Sequence, residues 1–169
     1  MNHDLRLRGA KTSEIERVRQ IERASATRFL GTARAALAED EPTDAATLAA
    51  RIASDGLLVA EEGGEVVAFV MFREVEGCGY IEQIDVLPSH AWRGIGARLI
   101  EAAAEAARSR GWPVLTLSTF KDVPFNAPYY RRLGFADVEM LTPGMAAIRA
   151  EHEARGLDES MRVFMRRAV

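Results

Sequence analysis

The chain has 169 residues, 48% of them hydrophobic and 28% charged, with a formal net charge of -3. That is an ordinary globular composition, long enough for one domain with one sizeable core, so a single domain over 1–169 is expected. The acidic balance argues against nucleic acid, no apolar stretch reaches the ~20 residues of a membrane span, and a lone cysteine, Cys78, excludes an internal disulfide or Cys-rich zinc site.

The start, Met1-Asn2-His3-Asp4-Leu5-Arg6, has no apolar run behind a basic patch, so no secretory signal is expected and the cytoplasm is the expected location. Leu5 and Leu7 alternate with Arg6 and Arg8, which predicts a short first strand. Ser13-Glu14-Ile15-Glu16 fits a capping box, and Ile15, Val18, Ile21 and Ala24/Ser25 follow at helical spacing. Ala33 to Glu39 reads either as more helix or as a mobile segment, and Glu39-Asp40-Glu41-Pro42 breaks the pattern. Thr43 is the expected cap of a second helix running to Ser54 and ended by Asp55-Gly56.

Strand character comes next. Leu57 to Ala60 and Val66 to Phe72 flank a Gly63-Gly64 hairpin signal, and a turn at Glu76 to Gly79 leads into Tyr80–Leu87, stopped by Pro88. This predicts an antiparallel meander of three strands. From Gly94 the period becomes helical through Ile95, Leu99, Ala103 and Ala106/Ala107, with Gly111 as the stop. Val114 to Leu117 returns as a strand, joined to Tyr80–Leu87 by a helix and hence expected to pair parallel through a right-handed crossover. A short helix, Phe125 to Leu133, ends at Gly134; Phe135 to Leu141 reads as a strand, Pro143 to about Arg155 as a helix, and Met161 to Met165 as a last strand.

The turn after the Tyr80–Leu87 strand carries the chemistry. In Arg93-Gly94-Ile95-Gly96-Ala97 two glycines open a helix whose first N–H groups are unpaired and whose dipole favours negative charge. A pyrophosphate is a natural guest, with Arg93 and Arg98 as charge-assisted donors. A plain tight turn also explains Gly-x-Gly. Two rivals fail: a dinucleotide fingerprint needs glycine where Leu99 stands and an acid near Thr116 or Leu117, and a Walker A loop needs Gly-Lys-Ser/Thr. The three histidines have no metal-ligand spacing, so no metal is expected.

A second stretch lies one strand on: Pro124-Phe125-Asn126-Ala127-Pro128-Tyr129-Tyr130-Arg131-Arg132-Leu133-Gly134-Phe135. The element order, the Val86-x-Pro88 strand end, the Gly94-Ile95-Gly96 turn and Tyr130-x-x-Leu133-Gly134-Phe135 together resemble the GNAT superfamily of acyl-CoA-dependent N-acyltransferases. The resemblance spans nearly the whole chain and is densest from Tyr80 to Phe135. It implies an α/β (α+β) fold: one GNAT-type domain with a mixed, mostly antiparallel sheet of 6–7 strands flanked by helices, and a splayed parallel strand pair around the pyrophosphate-binding helix. One departure is Ala91, where the superfamily usually carries Gln or Arg. The backbone donors do most of that work, and Trp92-Arg93 can compensate.

The resemblance also implies a reaction. The co-substrate is acetyl-CoA, and the acceptor amine attacks the thioester directly, so Cys78 need not react. Glu82 is the candidate general base, since a carboxylate on the strand entering the cofactor loop is common there. Strand alternation groups it with Tyr80, Ile84 and Val86, with Asp85 opposite as the reserve base. An acid among apolar neighbours suits a base near neutral pH, while a glutamate on a solvated sheet face is the competing reading. Tyr130 matches the general acid, against the alternative of a core tyrosine. Asn126, one turn earlier on the same face, is either a pantetheine contact or the cap of its helix.

Cofactor contacts are expected from Asp85, Val86, Leu87, Trp92, Arg93, Gly94, Ile95, Gly96, Ala97, Arg98, Asn126 and Tyr130. The Val86 N–H would polarise the carbonyl, and the strand edge at Asp85–Leu87 would pair with pantetheine. Substrate contacts are expected from Phe29, Arg28, Arg34, Ser118, Thr119, Phe120 and Tyr129. The expected acceptor is a small-molecule amine. A peptide acceptor, or a non-catalytic CoA-binding domain, is the alternative. A homodimer through a sheet edge or through Met161–Met165 is compatible with the pattern.

Overall fold

The computed structural model describes residues 4–169, leaving residues 1–3 of the expected domain outside the described part. Seven strands form a mixed sheet in the order β1-β2-β3-β4-β5-β7-β6. They are β1 (Arg6–Gly9), β2 (Leu57–Glu62), β3 (Glu65–Val75), β4 (Cys78–Val86), β5 (Val114–Phe120), β6 (Ala136–Asp137) and β7 (Arg162–Ala168). The helices are α1 (Ile15–Ser25), α2 (Ala45–Ala53), α3 (Ile95–Ser109), α4 (Ala127–Arg132) and α5 (Pro143–Ala154). The chain clusters into two compact units, one holding the residues up to Arg73 with Glu82–Ala103, the other Glu74–Ile81 with Ala104–Val169.

In the first unit β1 pairs antiparallel with β2, and β2 with β3. The turn between β2 and β3 has both central residues at positive φ, Gly63 at 60° and Gly64 at 83°. That is the turn whose twist matches the strands it joins, which is why Gly-Gly signals a hairpin. α1 buries Val18, Ile21 and Ser25, the three- and four-residue spacing of one helical face. Its apolar residues join Leu48, Leu57, Val59, Val66, Phe69 and Met71 in a closed core, where each such side chain contributes about 1.5–3 kcal/mol.

Three local expectations change here. The cap before α1 is not the Ser13 box. A 3-10 turn, Thr12–Glu14, precedes the helix, and the Glu14 carboxylate accepts from the Lys11 N–H at 2.9 Å because Arg8 draws it there, at 2.6 and 3.0 Å. α2 is capped by Asp44, which accepts from the Thr47 N–H at 2.8 Å, while Thr43 donates its N–H and hydroxyl to Glu22 at 3.0 and 3.2 Å. The segment after α1 makes two 3-10 turns, Ala26–Phe29 and Ala35–Glu39, rather than a continued α-helix. Gly56 ends the α2 region under a hard constraint: a Cβ there would lie 2.3 Å from the Phe72 carbonyl oxygen.

In the second unit β4 and β5 pair parallel through Gly79↔Leu115, Tyr80↔Thr116 and Ile81↔Leu117, as a strand–helix–strand connection requires. β7 runs antiparallel to β5 from Val114↔Ala168 to Phe120↔Arg162, and it also takes β6 on its other side. The last strand is therefore longer than expected, and β6 pairs with it only at Met165 and Arg166. The Phe135–Leu141 strand shrinks to two residues, because the chain bends away at Glu139 to reach Thr142, which caps α5 by accepting from the Met145 N–H at 3.2 Å. α4 is shorter than Phe125–Leu133 by two residues at its start and one at its end. Tyr80, Met145, Ile148 and Phe164 form this unit's apolar cluster.

Candidate functional site

The turn after β4 belongs to the first unit. Leu87 still donates to the Val67 carbonyl at 2.9 Å; then Pro88–His90 forms a 3-10 turn, Ala91 is extended, Trp92 lies at φ 64° and Gly94 at φ 75°. The first amide to bond back into α3 is that of Arg98, to the Gly94 carbonyl at 3.1 Å. Helix geometry leaves the amides of Ile95, Gly96 and Ala97 pointing out of the N-terminus, at the positive end of the dipole. Amides presented in this way can accept an anion.

The turn is braced by a residue the sequence reading missed. Glu62, at the end of β2, takes Arg93 Nη2 at 2.6 Å and Nη1 at 3.1 Å, and His90 Nε2 at 3.0 Å. Ser89 Oγ and His90 Nδ1 lie 2.8 Å apart. The Arg93 hydrogen bonds hold the Glu62 carboxyl below the usual carboxylate range, and Arg93 is raised in turn. Arg98 donates to the Leu5 carbonyl at 3.1 Å. Both arginines expected to meet a pyrophosphate are thus already engaged. In sequence Glu62 is one of two acids flanking a Gly-Gly turn, and nothing there distinguishes it.

Trp92 is the irregular residue of the turn. A bulky side chain at positive φ costs about 1–2 kcal/mol, and such strain gathers at functional positions. Its indole is also 90% exposed.

The carboxylates of β4 are held by cations. Glu82 is not among apolar neighbours as the strand alternation suggested: Arg51 donates to both its oxygens at 2.6 and 2.7 Å, and Arg73 to Oε1 at 2.8 Å. Arg51 comes from α2, whose packing no strand pattern reveals. A carboxylate offers about four acceptor positions, so these three bonds leave one on Oε2. Asp85 is sealed, at 2% exposure, and accepts from Ser25 Oγ at 2.8 Å, Arg28 Nη1 at 2.7 Å and Gln83 Nε2 at 2.6 Å. Nearby Glu22 is pushed above the usual carboxylate range, first by burial and then by the Asp85 charge. Phe29, an expected substrate contact, is buried, with the Arg28 guanidinium 5.0 Å from its ring centre.

The second unit holds the remaining expected residues. Asn126 precedes α4 but does not cap it; its Nδ2 donates to Thr119 Oγ1 at 2.7 Å. Its Oδ1 is buried without a hydrogen-bond partner, which costs free energy until a donor arrives. Tyr130 lies edge-on to Tyr129, with centroids 5.4 Å apart, and to Phe135 at 5.9 Å. Burial pushes the Tyr129 phenol up, against the opposing Arg132 charge. Thr119 and Phe120 are both buried, and the Arg162 guanidinium sits 4.4 Å from the Phe120 ring centre.

Among the described residues no group of three or more His, Cys, Asp or Glu is placed to hold a metal, and no helix is long and apolar enough to cross a membrane.

The sequence matches the Acetyltransferase (GNAT) family over residues 15–135, and the chain belongs to that family. An "uncharacterized N-acetyltransferase" of Methanocaldococcus jannaschii is 33% identical over 94 residues, which cover 52% of this chain and 42% of that protein, so the chain spans about two-fifths of its relative. Ard1 from Thermoplasma volcanium has a similar fold, with a TM-score of 0.71 at 19% identity over 98% of this chain and 97% of its own. So does PaiA N-acetyltransferase from Thermoplasma acidophilum, in complex with coenzyme A, with a TM-score of 0.72 at 12% identity over 98% and 99% of the two chains.

Proposed function

We propose that the protein is a catalytic domain over 1–169 that moves an acetyl group from acetyl-CoA to the primary amine of a small molecule, by direct attack in a ternary complex. The observation that carries this is the braced turn before α3, which presents three backbone amides at a helix N-terminus. Two independent features suit the co-substrate: those amides fit a diphosphate, and the orphaned Oδ1 of Asn126 fits an amide N–H of pantetheine. Ala91 supplies no side-chain donor, so affinity rests on backbone. The cytoplasm, where acetyl-CoA is available, is the proposed location.

Acetyl-CoA, when bound, supplies an electrophilic thioester. Glu82 removes a proton from the acceptor ammonium through a water on the acceptor position left at Oε2. It is preferred to Asp85 because its side chain is 15% exposed whereas that of Asp85 is sealed. The Val86 N–H polarises the thioester carbonyl. The amine nitrogen bonds to the acyl carbon, the carbon–sulfur bond breaks, the Tyr130 hydroxyl gives its proton to the departing sulfur, and the second proton shed by the nitrogen as it becomes an amide returns to the Tyr130 oxygen through water.

Saturating acetyl-CoA should raise the melting temperature, and no shift would remove the central claim. Thiol release is then measured against amines, amino acids, aminoglycosides, polyamines and peptides. Turnover confined to peptides would move the acceptor to the protein class, and binding without turnover on any of them would leave a CoA-binding domain.

A further inference from the structure

We propose that Trp92 is the platform on which the adenine of acetyl-CoA stacks; this rests on the acetyl-CoA reading above and names one contact within it. Trp92 is 90% exposed although its neighbours in the turn are not loose. His90, two residues before it, and Arg93, one after it, are both fastened to Glu62. The brace therefore holds the backbone on either side of the indole while the ring itself stands in solvent. Its φ of 64° is a conformation that bulky residues avoid. A ring presented by a fixed and strained backbone is preorganised for a contact.

The chemistry of that contact follows from its surroundings. The outward amides of α3 begin three residues later, at Ile95, and a Cβ built at Gly94 would meet nothing within 4 Å, so the turn is open beside the ring. A nucleotide whose diphosphate lies on those amides carries its base one ribose away. Ser89, His90 and Arg93, which flank Trp92 in the turn, are polar, and the other large hydrophobics exposed among the described residues are Leu30 and Met140, whereas a protein interface would need a contiguous apolar patch. A single flat aromatic ligand needs only one ring. Arg93 is neutralised by Glu62, so stacking rather than extra charge is the contribution left to this part of the turn.

The test uses calorimetry with acetyl-CoA, 3′,5′-ADP and S-acetylpantetheine on the wild type, Trp92→Gly and Trp92→Phe. Glycine suits the positive φ, so the turn survives removal of the ring. Trp92→Gly is expected to weaken acetyl-CoA and 3′,5′-ADP about tenfold, Trp92→Phe less than about threefold, and S-acetylpantetheine not at all. The fluorescence of 1,N6-etheno-CoA should be quenched by the wild type and not by Trp92→Gly. Unchanged acetyl-CoA affinity in Trp92→Gly, or equal losses in the Gly and Phe variants, would overturn the stacking role while leaving the acetyltransferase reading intact. A wild type that does not bind acetyl-CoA would overturn both.

Discussion

The candidate residues of the two units solve opposite problems. In the first unit every singled-out carboxylate is spoken for: Glu62 by Arg93 and His90, Glu82 by Arg51 and Arg73, Asp85 by Ser25, Arg28 and Gln83. In the second unit the corresponding groups are neutral, and one, the Asn126 Oδ1, is left unpaired. The carboxylates of the first unit are thus paired with no ligand present, because buried charge is tolerated only when paired. The neutral side keeps an unmet hydrogen bond, which a neutral amide can do at a cost of about 1–3 kcal/mol.

The comparison is broken most sharply at Tyr130. Tyr130→Phe keeps both ring contacts and removes only the hydroxyl, so kcat should fall about a hundredfold with acetyl-CoA affinity unchanged. A rate equal to that of the wild type would return Tyr130 to a packing role. Glu82→Gln comes next. It should lower kcat about tenfold and flatten the acid limb of the kcat/KM profile. Melting curves recorded alongside separate this from the loss of Arg51 and Arg73 pairing, and an unaltered pH profile would hand the base role to Asp85 or water.

The smallest expected effect sharpens the rule about pairing. Glu22 is held above its ordinary range by burial and by Asp85. A raised carboxyl favours the folded state below its unfolded value and loses that contribution as pH rises through the folded one. Glu22→Gln should therefore raise Tm slightly at pH 7. The gain should vanish as the pH is lowered toward the ordinary glutamate range, near 4.3. A gain that persists in acid would mean that packing against Thr43, not charge, is responsible.

Much of this was legible in sequence where a local rule decides the outcome. The Gly63-Gly64 turn, the Pro88 stop and the Gly94-Ile95-Gly96 helix start each follow from backbone chemistry at that position. The parallel β4–β5 pair follows from the helix between them. What escaped was set by partners distant in the chain. Arg51, on α2, reaches Glu82 from 31 residues away. Glu62 braces the turn before α3 from 31 residues away. Alternation along one strand says which face a residue is on, but not which cation waits there.

The placement of β7 between β5 and β6 has a kinetic consequence. Neither of those strands can complete its ladder until Arg162–Ala168 has been synthesised, long after β5 itself. Until then β5 exposes an edge whose Leu115, Leu117 and Phe120 are buried in the finished fold, and such an edge invites pairing between chains.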